Sequence, residues 1–232
     1  MPEADDLQRL RWEYSDRGRR LAGSDVYSPF NPANLFIVQQ RQREVLKLLR
    51  RQGFFPLTGR NILELGCGEG GVLLEYLSYG AEPSHLHGVE LLPDRVQTAH
   101  QLLPHLPLVC GDGQRLPYLA EVFDLVLQYT VFTSVLDSQV KSHLAQEMVR
   151  VLKPGGMVVW YDFWLNPANR QTRGIRLLEI RRLFPNCEYH VQRITLAPPL
   201  TRRLVRISWF ACAILETMRL FNSHYLVGII KK

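Results

Sequence analysis

The residues best suited to chemistry lie in Leu63-Glu64-Leu65-Gly66-Cys67-Gly68-Glu69-Gly70, where an apolar run gives way to glycines and two carboxylates. Residues 61–65 have the character of a buried strand and 70–79 turn to helical spacing, so the glycines fall at a strand-to-helix turn. Without a Cβ the backbone there accepts positive φ and close approach of a ligand, and the first N–H groups of the helix point toward it. Gly66, Gly68 and Gly71 keep the spacing of a dinucleotide fingerprint, and Glu90 ends the next strand as an acceptor for ribose hydroxyls. Both an NAD-type and a nucleoside-type ligand satisfy that pattern. Glu64 and Glu69 tilt it toward the second, because carboxylates repel a pyrophosphate and suit a ligand carrying an ammonium and a sulfonium.

Further along, Asp112 sits in Gly111-Asp112-Gly113, either as a ligand contact or as a turn residue in its own right. Gln128, Tyr129 and Phe132 follow the fourth strand, and Asp162 and Trp164 end the fifth. Asp162 is the first candidate for a general base, the alternative being a loop cap or a pairing with Arg170 or Arg173. Tyr129, Phe132 and Trp164, near strand ends, are expected to border an acceptor pocket, whereas Trp160 is expected in the core. The histidines show no metal-ligand spacing, and no metal is expected.

Positioning these groups requires alternating elements. Strand-like runs at 61–65, 85–90, 106–110, 123–128 and 156–162 alternate with helical runs at 70–79, 94–103, 138–152 and 174–184. Such alternation implies right-handed βαβ units and an α/β fold with ligands beyond the carboxyl ends of the strands. Asn31-Pro32 opens an amphipathic helix ahead of the first strand. Strands over 189–196 and 224–230 flank a helical stretch at 201–221 that is expected to act as a lid. Pro154-Gly155-Gly156 is expected to end a helix and turn the chain into the fifth strand.

These stretches resemble the class I S-adenosylmethionine-dependent methyltransferases, in which an acid precedes a Gly-x-Gly turn. His87-Gly88-Val89-Glu90, Gly111-Asp112-Gly113 and Arg150-Val151-Leu152-Lys153-Pro154-Gly155-Gly156 follow in that family's order, and the resemblance covers about residues 60 to 165. Thr195-Leu196-Ala197-Pro198-Pro199-Leu200 is similar to a motif of a bacterial subgroup of small methyltransferases. The resemblance implies a Rossmann-like, mostly parallel seven-stranded sheet with helices on both faces and an antiparallel last strand. It divides the chain into an N-terminal helical segment over the cofactor, 1–58, and a core, 59–232, with a helical insertion at about 198–222. It also implies S-adenosylmethionine as cofactor. Glu64, Gly66, Cys67, Gly68, Gly70 and Gln128 would border its methionine part, Glu90 its ribose, and Leu91, Asp112 and Gly113 its adenine. Tyr14, Tyr27, Phe30, Asn34 and Arg41 lie in the segment that often folds over the cofactor in such enzymes.

The acceptor is expected to be a small molecule methylated at oxygen, a biosynthetic metabolite or glycan intermediate. Gln128-Tyr129-Thr130-Val131-Phe132 lacks the Asp/Asn-Pro-Pro-aromatic run common where planar amino groups are methylated. A formal charge of +6 keeps an RNA methyltransferase or RNA-binding protein as an alternative, although the arginines spread over several stretches like solvated faces. An NAD-dependent oxidoreductase is a further alternative, but it leaves Glu64 and Gly-Asp-Gly unexplained. Four scattered cysteines and a charged N-terminus fit a reducing cytoplasm. Ile207 to Leu215 is too short to span a bilayer and reads as a buried or interfacial helix, leaving peripheral membrane contact open.

Overall fold

The computed structural model describes residues 2–21, 23–165 and 172–232. A seven-stranded sheet runs β3-β2-β1-β4-β5-β7-β6. Its strands are β1 Ile62–Leu65, β2 Leu86–Glu90, β3 Leu108–Cys110, β4 Phe123–Tyr129, β5 Leu152–Phe163, β6 Cys187–Leu196 and β7 Asn222–Lys231. Neighbours from β3 through β5 are parallel, and β7 alone runs against both β5 and β6. The order reverses direction between β1 and β4, and a crevice opens at the carboxyl ends of parallel strands where that happens.

Strand alternation sorts the core into two layers. Ile62, Leu127, Tyr129, Val159 and Tyr161 face α2 (Pro32–Arg51), α3 (Gly71–Ser78) and α4 (Pro93–Leu102). Leu63, Val126, Phe132, Val158 and Trp160 face α5 (Ser138–Val151) and α6 (Leu177–Leu183). The start of α2 follows from its sequence: Asn31 Oδ1 accepts from Ala33 N at 3.0 Å, and Pro32 needs no N–H partner in the first turn.

The first helix, α1 (Pro2–Leu21), lies across the carboxyl rim of the sheet. Arg9 Nη2 donates to Ser134 O in the loop after β4, and the guanidinium of Arg95 at the start of α4 stands 4.9 Å from the Tyr14 ring.

Two expectations about the elements need correction. Pro154-Gly155-Gly156 lies inside β5, because α5 ends at Val151 and the chain pairs at once. The register on β4 jumps from Phe123↔Leu152 to Leu125↔Met157, so the extra residues form a bulge with Gly155 at φ 74°. The single helix expected over 201–221 is two, α7 (Pro198–Leu204) and α8 (Trp209–Met218). Extended Ser208 breaks the path, and its Oγ caps the second helix by accepting from Ala211 N at 3.1 Å. The stretch 174–184 contains only the short α6, and Arg170, one expected partner of Asp162, lies outside the described residues.

Candidate active site at the carboxyl rim

Between β1 and α3 the chain reverses through three glycines at positive φ: Gly66 (69°), Gly68 (56°) and Gly70 (87°). Gly66 N and Cys67 N both donate to Val89 O, tying the turn to β2. A Cβ on Gly66 would stand 2.6 Å from Val131 Cγ2 in the loop after β4, so glycine is needed there for space as well as for φ. Above Gly68, a Cβ would meet the mobile end of Arg95 instead, at 2.5 Å from Nη2. Gly70 is the N-cap of α3 and has no capping side chain, which leaves the first amides of the helix available to a ligand.

The two carboxylates of the turn separate in the structure. Glu69 is exposed, whereas Glu64 is only 2% exposed and its Oε2 has no hydrogen-bond partner. Burial, reinforced by the charge of Glu75, holds the Glu64 carboxyl well above the usual carboxylate range. A buried, unpartnered acceptor at a strand end is complementary to an ammonium or sulfonium and wrong for a phosphate. Cys67 turns the other way. A Cβ on Gly88 would come within 2.8 Å of its Sγ, and burial pushes its thiol pKa up, so Cys67 packs against β2 and contributes main chain alone to the turn.

Glu90 is buried at the end of β2, and its oxygens accept from Gly68 N at 2.9 Å and Leu92 N at 3.0 Å. It therefore shapes the glycine turn directly, with one lone pair per oxygen left for hydroxyl donors. Leu91 follows it, half-buried. Both oxygens of Asp112 are engaged with Gln114, by its backbone N at 2.9 Å and its Nε2 at 3.1 Å. The turn role read from Gly-Asp-Gly is thus realised, and the flexible Gln114 side chain is the partner that would have to yield to a ligand. Gly113 is a packing glycine, since a Cβ would fall 2.4 Å from Leu65 Cδ1. Gln128 is fully buried at the end of β4; its Oε1 accepts from Val131 N, and its Nε2 has no partner.

The expected base and two of the expected pocket residues are corrected. Asp162 lies on the α5 side of β5 with both oxygens committed: Oδ1 accepts from Thr133 Oγ1 at 2.6 Å and Phe163 N at 2.9 Å, and Oδ2 from Thr133 N at 3.1 Å. It anchors the loop after β4 and is not poised as a base. Phe132 is fully buried in the same layer, its ring 4.5 Å from that of Trp160, because the loop tucks it beneath α5. Trp164 donates Nε1 to Asn222 O at 2.8 Å and borders an open cleft of about 590 Å³ with Arg173, Arg176 and Glu179, away from the glycine turn.

On the α2 and α3 side of the sheet the structure brings together polar residues that the sequence could not connect, the expected Arg41 and Tyr129 among them. Arg41 of α2 pairs with Glu75 of α3, and its guanidinium lies 5.3 Å from the Tyr129 ring and 5.5 Å from the Tyr161 ring. The Arg41 Nε is buried and unpartnered. Tyr129 and Tyr76 share a hydroxyl contact at 3.3 Å, and Tyr161 shares one with Thr195 at 3.0 Å. His224, opposite Phe163 on β7, stacks on the Tyr161 ring at 4.7 Å, with Nδ1 3.0 Å from Ser223 Oγ. Burial, aided by the Arg41 charge, lowers its pKa to about 3, so the imidazole is neutral near pH 7. Strand parity puts 129, 161 and 224 on one face once the pairing is known, and the pairing is what joins them.

The strand order, with β7 alone reversed, and a glycine turn closed by a carboxylate on β2 are those of the class I S-adenosylmethionine-dependent methyltransferase fold. The cofactor of that class fits the buried acceptor on Glu64 and the uncapped amides of α3. Residues 63–160 match the methyltransferase domain family. Over 172 residues the chain is 37% identical to a phthiotriol/phenolphthiotriol dimycocerosates methyltransferase of Mycobacterium leprae, covering 72% of this chain and 56% of that protein. It is 29% identical over 106 residues to sterol 4-C-methyltransferase of Caenorhabditis elegans, covering 43% of this chain and 30% of that one. The chain thus spans little more than half the length of the first of these curated relatives. Among solved structures, a SAM-dependent methyltransferase from Archaeoglobus fulgidus superimposes with TM-score 0.57 at 17% identity, over 85% of this chain and 98% of that one. A phosphoethanolamine N-methyltransferase 2 of Haemonchus contortus, in complex with S-adenosyl-L-methionine, gives 0.58 at 18%, over 82% and 52%.

Proposed function

We propose that the protein transfers a methyl group from S-adenosylmethionine to a hydroxyl oxygen on an apolar small molecule, a biosynthetic metabolite. The observation that carries this reading is the wall formed by Tyr129, Tyr161 and His224 at the carboxyl rim beside Glu64, aromatic in surface and holding one neutral imidazole. The similarity to methyltransferases named for phthiotriol dimycocerosates and for a sterol supports an apolar metabolite over a glycan intermediate.

When bound, the cofactor supplies a methyl group already activated on a sulfonium, so the chain has to align, desolvate and remove a proton. Glu64 would accept from the ammonium and offset positive charge, with Gly66, Gly68 and Gly70 giving main-chain approach. Glu90 would take the ribose hydroxyls with its remaining lone pairs, Leu91 and Gly113 would flank the adenine, and Asp112 would accept its amino group once Gln114 moves aside. Gln128 Nε2, a buried donor with no partner, would face the methionine end. Tyr129 and Tyr161 would pack against the acceptor and exclude water. His224 would hold the acceptor hydroxyl and take its proton at Nε2, the ring fixed by stacking on Tyr161 and by Ser223 at Nδ1.

A carbon acceptor is the second reading, favoured by the likeness to the sterol 4-C-methyltransferase. Incubating the protein with methyl-labelled cofactor and a panel of phenols, long-chain secondary alcohols and sterols tests both. A labelled methoxy product supports the oxygen reading, a labelled C-methyl product replaces it, and transfer only to polar amines or RNA overturns the apolar acceptor.

A further inference from the structure

We propose that the outer face of α7 and α8 docks on an anionic lipid bilayer, so that the apolar acceptor enters from the membrane. The outer face of α8 and the turns at its two ends carry Ile207, Phe210, Ile214, Met218, Leu220 and Phe221, all exposed, Ile207 at 81% and Phe210 at 75%. Phe210, Ile214 and Met218 recur at i, i+4 spacing and form one stripe along α8, and their opposite face is inward, where Cys212 and Glu216 are buried. An apolar surface of this extent on a water-facing helix marks a partner.

Charge selects the partner. Arg202, Arg203, Arg206 and Arg219 flank the stripe and are exposed, while the one carboxylate between 197 and 221, Glu216, is buried and accepts from Thr195 N at 3.2 Å. Apolar side chains rimmed by arginines, with no exposed acid among them, match the headgroup and acyl boundary of an anionic membrane. On their inner side α7 and α8 are held by α2, whose Ala33 and Phe36 pack with Val205 and Cys212.

Helix α8 is linked to the Tyr161 side of the sheet. Glu216 of α8 holds the Thr195 amide, and the Thr195 hydroxyl meets that of Tyr161. A lid apolar outside and tied to the Tyr161 wall inside gives a water-insoluble acceptor a route that avoids solvent; this route rests on the apolar acceptor proposed above.

Flotation with phosphatidylcholine vesicles, with and without roughly a third phosphatidylglycerol, tests the docking. The protein is expected to float with the anionic vesicles and much less with the neutral ones. Phe210→Asp is expected to cut the vesicle partition coefficient about tenfold or more. Arg202→Gln with Arg206→Gln is expected to remove most of the preference for anionic lipid and its salt sensitivity. Calorimetry with S-adenosylhomocysteine is expected to give the parent affinity in all variants, which establishes that they are folded. No flotation of the parent, or undiminished flotation of Phe210→Asp, overturns the proposal. So does a concentration-dependent dimer that Phe210→Asp dissolves, since a second copy would then cover the face. Methyl transfer to a detergent-dispersed alcohol is scored separately: its failure with flotation intact removes the acceptor reading and leaves the docking.

Discussion

Replacing Thr133 by Val separates an anchoring Asp162 from a catalytic one. The change keeps the shape of the side chain and deletes the hydroxyl that donates to Oδ1 at 2.6 Å, leaving the donations from Thr133 N and Phe163 N. Loss of one hydrogen bond to a buried charged group costs about 1.5–3 kcal/mol. For a chain of this length that lowers Tm by roughly 3–12 °C. Asp162→Asn has a second signature. Burial raises the Asp162 carboxyl from its usual 3.8 to about 6, so between those pH values the folded protein holds a proton that the unfolded chain releases. The contribution is therefore favourable in acid and is lost as pH rises through that window, on the order of 3 kcal/mol in all. Thermal melts of parent and Asp162→Asn across the window, taken as a difference, are expected to show that slope in the parent alone. Calorimetry with S-adenosylhomocysteine should give parent affinity for both variants. If both keep the parent Tm to within about 1 °C while turnover collapses, Asp162 is the base and the anchoring argument fails.

His224→Asn is expected to abolish turnover on an alcohol while leaving S-adenosylhomocysteine affinity unchanged in calorimetry; retained turnover would remove His224 from the proton path. Because burial and Arg41 lower its pKa to about 3, the unfolded chain binds the proton first, and stability falls as pH drops below the usual histidine value. The substitution should flatten that loss in acid melts. Glu90→Ala is expected to weaken S-adenosylhomocysteine by about 1–3 kcal/mol, or roughly 5- to 150-fold, because it strands the Gly68 amide as well as a ribose hydroxyl. Unchanged affinity would dissolve the ribose assignment. Gly66→Ala combines φ 69° with a Cβ 2.6 Å from Val131, and is expected to cost about 1–3 kcal/mol in denaturant melts. A variant as stable as the parent would mean that the loop after β4 yields freely.

The sequence by itself determined the frame: alternation of period-2 and period-3.6 runs, Asn31-Pro32 as a helix start, and Gly66-x-Gly68 beside Glu64 with Glu90 one strand on. Those features are local, and the physics that reads them, steric freedom at glycine and side-chain parity along a strand, acts over a few residues. What the fold alone decided is which groups meet. Asp162 and Tyr161 are neighbours in sequence, yet parity sends one beneath the β4–α5 loop and the other to the wall with Tyr129 and His224. Glu64 and Glu69 looked alike, and burial separated them. Arg41 meets Glu75 only because α2 and α3 pack on the same side of the sheet. Cys67 and Gly113, inside matched motifs, serve packing, since Gly88 and Leu65 crowd them from other strands. Motif spacing encodes the turn that receives a ligand, whereas the charge state and reach of each side chain depend on burial and on partners tens of residues away, and only tertiary packing sets those.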